Sequence, residues 1–99
     1  MTQKSLYAVI TALPGKEEEI AKLLKELAVK VRAEAGCVRF LPYRLVESPQ
    51  VFHIHETYED EAAFKTHISQ EHGKIFNEKL KSLAKGGGSE VNFLKAVVE

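Results

Sequence analysis

Four histidines fall within twenty residues of this chain, and their spacing sets two different kinds of chemistry side by side. His53 and His55, in "VFHIHETY", recur at strand spacing and share one face. Such a pair can chelate a metal, but a working site needs at least a third ligand converging from elsewhere. Glu56, the obvious neighbour, points the other way in a regular strand, so no metal site is expected there. His67 and His72 follow in "DEAAFKTHISQEH", on or beside an apolar stripe that includes Phe64, Ile68, Ile75, Phe76 and Leu80. Their imidazoles should therefore face the sheet, where Glu56 and Tyr58 emerge. Two imidazoles, a carboxylate and a phenol between helix and sheet make either a small pocket with a few placed polar groups or a satisfied core network. In a pocket the chemistry would be proton transfer. A buried carboxyl holds its proton longer than usual, and an imidazole exchanges one near neutrality. Spacing alone leaves both readings open.

The elements that must position these groups are legible in pattern. "SLYAVITAL" reads as a strand ending at the turn signal Pro14-Gly15, with Leu6, Ala8, Ile10 and Ala12 on one face and Tyr7, Val9 and Thr11 on the other. In the next segment Ile20, Leu23, Leu24, Leu27, Ala28 and Val31 form one helical stripe, with acidic residues first and basic residues last. Gly36 suits a left-handed residue closing that helix. "CVRFLPYRLV" and "VFHIHETY" read as a hairpin joined by "ESPQ", and Pro42 implies an edge position or a bulge. Asp60 is a plausible N-cap for the second helix, which Ser69 and Gly73 threaten to break into two pieces. "KGGGS" is a flexible link and "EVNFLKAVV" a last strand.

The order β-α-β-β-α-β defines an α+β, ferredoxin-like arrangement, expected as one domain over residues 1–99. Two helices cover only one face of its sheet. Tyr7, Val9 and Val51 then lie on the open face, and an apolar open face implies a homodimer packed sheet to sheet. Fourteen basic residues balance fourteen acidic ones, so no global field draws the chain to nucleic acid or anionic lipid. The first apolar stretch is too short for a signal peptide or a membrane span, and a cytoplasmic location is expected. Cys37 is the sole cysteine, which rules out an intrachain disulfide and suits a small buried strand residue.

"AEAGCVRF" followed by "VFHIHETYEDEAAFKTHISQEH" resembles the antibiotic biosynthesis monooxygenase family of small dimeric ferredoxin-like proteins. The matching residues are Glu34, Gly36, Cys37 and Phe40, then Glu56 and Tyr58, then His67 and His72. The resemblance implies a dimeric α/β barrel. It also implies a small aromatic or enolic substrate held between helices and sheet, and oxidation by O2 with no cofactor. On this resemblance His67 is the expected base or anion stabiliser, with Glu56 orienting it or the substrate. Tyr58, His72, Phe40 and Phe64 are the expected substrate-binding residues. Many oxidising members carry Trp where Tyr58 stands and Tyr where Phe40 stands. The haem-degrading branch, which relies on a pocket Trp, does not fit a chain without Trp. The Glu-x-Tyr strand and "DEAA" also resemble relatives that isomerise a phosphorylated autoinducer-2 sugar derivative. That would require an anion site built from Lys65, Lys74 or the strand arginines. A non-catalytic dimeric binding module is the third expectation.

Overall fold

A computed structural model of the chain describes residues 2–98, so Met1 and Glu99 lie outside the described residues. Strand β1 (Lys4–Thr11) is followed by helix α1 (Glu17–Arg32) and the hairpin strands β2 (Cys37–Arg44) and β3 (Val51–Tyr58). Helices α2 (Glu61–Ile68) and α3 (Glu71–Leu80), a 3-10 turn (Lys85–Gly87) and strand β4 (Glu90–Leu94) complete the chain. The sheet order is β2-β3-β1-β4, with every neighbouring pair antiparallel. This is the split βαβ arrangement of the ferredoxin-like fold. Among the described residues no helix is long and apolar enough to cross a membrane.

Alternation decides the core. Leu6, Ala8 and Ile10 of β1, with Ala12 just after it, are buried with Phe52, Ile54, Glu56 and Tyr58 of β3, while Tyr7, Val9 and Val51 on the opposite face are only half-buried. Ile20, Leu24, Leu27, Ala28 and Val31 of α1, with Phe76 and Leu80 of α3, close over the first face. The turn into α1 is made at Pro14-Gly15. Lys16 N donates to Leu13 O, and Gly15 takes the left-handed φ of 81° that its place in such a turn demands.

Several expectations are corrected. Gly36 does not close α1 in a left-handed conformation; the helix ends at Ala33, and Gly36 has no positive φ. Its role is close approach instead, because a Cβ there would collide with the Ala63 side chain of α2. Contact at that point brings the turn after α1 against α2, and so Glu34 toward His67. As one of the two sequence readings allowed, the second helix breaks at Ser69-Gln70, whereas Gly73 lies inside α3 and breaks nothing. The break ends the continuous stripe, leaving Ile68 and Ile75 largely exposed. Strand β2 stops at Arg44 rather than Val46, and β4 is five residues long and exposed throughout. Cys37 begins β2 but is half-buried. Asp60 does cap α2, accepting from Ala63 N at 2.8 Å. Pro42 does sit in an edge strand, where no ladder bond needs its missing N–H.

Strand β2 carries a bulge, between Cys37 and Arg39. Cys37 pairs with Tyr58, but Arg39 pairs with Thr57 and Phe40 with Glu56, leaving Val38 as the extra residue. Strict alternation from Cys37 would have turned Phe40 to the open face. The bulge turns it inward, beside Glu56, and a bond from Arg32 Nε to Phe40 O at 2.9 Å ties that stretch to α1.

Candidate active site

Four segments bring an acid–imidazole cluster together. β3 supplies Glu56 and Tyr58, α2 supplies His67, and α3 supplies His72, while Glu34 comes from the turn after α1. His67 Nδ1 lies 3.0 and 3.1 Å from the two oxygens of Glu34, and His72 Nε2 lies 2.6 Å from Glu34 Oε2. A carboxylate has no proton to give, so both ring nitrogens that meet it are the donors. His67 thereby carries its proton on Nδ1 when neutral, and its Nε2 keeps a free lone pair. That Nε2 stands 3.7 Å from Glu56 Oε1, beyond a good hydrogen bond. The nearer partner of Glu56 is Tyr58, whose hydroxyl donates to Oε1 at 2.7 Å. The His67 ring also stacks on the Tyr58 ring, with centroids 4.5 Å apart and planes tilted by 31°.

The electrostatics follow from burial. Glu56 is 7% exposed. Desolvation pushes its carboxyl up to about 7, the bond from Tyr58 partly opposes this, and the nearby Glu34 charge adds to the rise. Near neutrality Glu56 is therefore poised between acid and carboxylate. Burial and the two carboxylates push the Tyr58 phenol far above its ordinary value, so it stays a donor at any working pH. Burial, with Glu34 and Glu56 nearby, also raises the Cys37 thiol, which argues against a thiolate nucleophile.

Beside this cluster lies a cavity of about 140 Å³. Glu56 and His67 form its buried polar end; Leu6, Ala8, Leu24, Phe40, Ile54 and Phe64 make apolar walls. Asn77 and Ser89, both exposed, contribute polar groups at its opening. Phe64 is held there edge-on against Phe93 of β4, with centroids 5.6 Å apart.

Of the six residues singled out in the sequence, Glu56, His67, Phe40 and Phe64 line the cavity. Tyr58 does not; it is wholly buried behind Glu56 and acts on it through the hydroxyl. His72 does not line it either, and its ring turns to Glu34 and to a shallow cleft between α1 and α3. The residue that the sequence reading left without a role is Glu34. One signal pointed to it: a carboxylate just past the end of α1 faces the negative end of the helix dipole, an unfavourable place unless a donor holds it. Two imidazoles hold it here.

His53 and His55 lie on the open sheet face with Tyr7, whose hydroxyl meets His53 Nδ1 at 3.0 Å. Among the described residues no group of three or more His, Cys, Asp or Glu side chains is placed to hold a metal ion.

A ferredoxin-like sheet covered on one face by helices, with a small cavity beside a carboxylate-oriented imidazole, defines the α+β class of this protein. Residues 5–79 match the family model for antibiotic biosynthesis monooxygenases, and the chain belongs to that family. Among curated proteins none matches this sequence. Among solved structures, the protein PA3566 of Pseudomonas aeruginosa is 28% identical with a TM-score of 0.90, covering 99% of this chain and 97% of that one. The protein SO0527 of Shewanella oneidensis is 25% identical with a TM-score of 0.84, over 93% and 88% of the two chains. A crystal structure described as an antibiotic biosynthesis monooxygenase is 22% identical with a TM-score of 0.87, over 96% and 99%, a likeness of fold.

Proposed function

We propose that this protein is a cofactor-independent monooxygenase that oxidises a small phenol, quinol or enol with O2. The observation that carries this reading is the Glu34–His67 pair, which in the neutral ring fixes the proton on Nδ1 and turns the Nε2 lone pair to the edge of a mostly apolar cavity. A substrate hydroxyl within reach of Nε2 gives up its proton, and the Glu34 carboxylate steadies the imidazolium that forms. The resulting anion is electron-rich and reacts with O2, forming a C–O bond to a peroxide. The imidazolium returns its proton to that peroxide. Loss of water, taking hydrogen from the same carbon, leaves a carbonyl; one oxygen atom of O2 is retained and the other leaves as water. Glu56, in its protonated form, donates a hydrogen bond to the substrate oxygen.

The rival isomerase reading requires cations for a phosphate group, and no Lys or Arg lines the cavity among the described residues. Lys65 and Lys74 are exposed on the helices. An oxygen electrode with a panel of quinols, methylhydroquinone first, tests the oxygenase. Uptake above the uncatalysed rate is expected, and uptake equal in the presence and absence of protein rejects it.

We also propose that two copies pack through the open sheet face, where Tyr7, Val9 and Val51 are half-buried and Tyr43 is half-exposed. Val9→Glu would place an unpaired carboxylate in that interface and weaken association by about 100-fold or more. Sedimentation equilibrium reads this directly. A wild-type chain that stays monomeric at micromolar concentration rules the interface out.

A further inference from the structure

We propose that Gly73 is a specificity-determining residue, keeping open a recess that admits one six-membered ring and excludes fused ring systems. The inference deepens the reading above and rests on its premise that the cavity is the substrate site. Its starting point is a glycine with no conformational reason to be there. Gly73 lies in the first turn of α3, its φ is not positive, and it lines the cavity. A Cβ built on it would meet nothing within 4 Å. Glycine in a helix is less favourable than alanine, because the unfolded chain loses more freedom and gains no contact. Neither backbone strain nor a close neighbour explains it, in contrast to Gly36, where a Cβ would strike Ala63. The space beside Gly73 is the remaining reason, and that space is the cavity.

The size of the recess sets the ligand class. An apolar cavity of about 150 Å³ holds one benzene ring. This one measures about 140 Å³ and has three phenylalanines in its walls: Phe40, Phe64 and Phe76. A ring hydroxyl would meet His67 and Glu56 at the buried end. Asn77, one helical turn beyond Gly73, and Ser89 stand exposed at the opening, where a substituent could leave and remain hydrated. A single-ring phenol or quinol meets each of these conditions. A three-ring anthrone exceeds that volume, so on this proposal it would have to displace α3 or stay outside the recess.

The test separates binding from oxidation. p-Cresol, which reports on fit without the quinol reaction, is titrated into the wild type and into Gly73→Ala and Gly73→Leu, following backbone amide signals by NMR. Wild type is expected to bind, with shifts at Phe40, Phe64, His67 and Gly73. Gly73→Ala should bind about threefold more weakly, and Gly73→Leu tenfold or more, as added carbon atoms take up the recess. At the same time the Tm of Gly73→Ala should rise by about 2–6 °C, since the helix gains a better former. If Gly73→Leu fails to fold, the direction of the Gly73→Ala changes decides. Binding of p-cresol by Gly73→Leu as tightly as by wild type would overturn the proposal. So would no binding of p-cresol by wild type, or tighter binding of the three-ring probe 1,8-dihydroxyanthrone at the same residues. Binding as expected with no oxygen uptake from methylhydroquinone would instead defeat the oxygenase reading and leave the recess standing.

Discussion

If the proposed oxygenase reading holds, His67→Ala is expected to lower quinol-dependent oxygen uptake by about 10²–10⁴-fold, the range that a positioned general base supplies. The loss should fall on kcat more than on KM, because the imidazole acts on a proton that moves only in the reaction. Glu34→Gln is expected to be nearly as damaging, by about 10–100-fold, although it never touches the cavity. The reason lies in the shared carboxylate. Its two oxygens receive N–H groups from both His67 and His72. An amide of the same shape keeps one acceptor oxygen and sets an NH2 group where the other stood. One imidazole must then face a donor with a donor, or turn its proton to the other nitrogen. If His67 is the ring that changes, Nε2 becomes protonated and the base is lost. His72→Ala, by contrast, removes one ring from Glu34 but leaves the bond to His67 intact, and activity should fall by no more than about fivefold, since the imidazole at the cavity keeps its orienting carboxylate. A Glu34→Gln variant as active as wild type would show that the pair is only structural.

Stability should fall as pH rises through the range where Glu56 loses its proton. The sign follows from linkage. The carboxyl titrates near 4.5 in the unfolded chain and at about 7 in the folded protein. Between those values the folded state holds a proton that the unfolded state has released, so raising pH favours unfolding. The cost begins as pH passes the unfolded value, is nearly complete slightly above pH 7, and amounts to roughly 3 kcal/mol. Glu56→Gln removes the titration, while its amide oxygen can still accept the Tyr58 hydroxyl. Urea denaturation between pH 4 and pH 8 therefore has a clear expected outcome. Wild type loses stability relative to Glu56→Gln across this window, and the difference between the two curves isolates the carboxyl from the histidines. Parallel curves would mean that Glu56 is not desolvated as its burial indicates. Retaining this group at such a cost fits a role in proton handling better than a role in holding the fold together.

Much of the fold was legible because periodicity is a local property. The stripe of α1 and the alternation in β1 and β3 each follow from side chains a few residues apart, and they named nearly every core position of those elements correctly. Asp60 and Pro14-Gly15 acted as written, since a cap and a turn also depend on their own neighbours. The errors came where distant segments meet. Gly36 resembles a helix terminator in sequence, but it is the approach of Ala63, 27 positions later, that requires it to be glycine. Phe40, placed at the site only by the family resemblance, does face inward, but through a bulge that alternation cannot foresee. The break at Ser69-Gln70 swung His72 away from the cavity to Glu34.

By itself, then, the order of residues determined a ferredoxin-like sheet, its covered face, and the arrival of Glu56 and His67 on that face. Only the tertiary structure decided which carboxylate orients the imidazole. It chose Glu34 over Glu56, because packing of the turn after α1 against α2 brings one oxygen pair within 3.1 Å of Nδ1 and leaves the other carboxyl 3.7 Å from Nε2. The size of the hollow was likewise invisible in sequence, since volume is what remains after helices and sheet have packed. Residue types state what a side chain can do, and distances of a few tenths of an ångström state which partner it does it with.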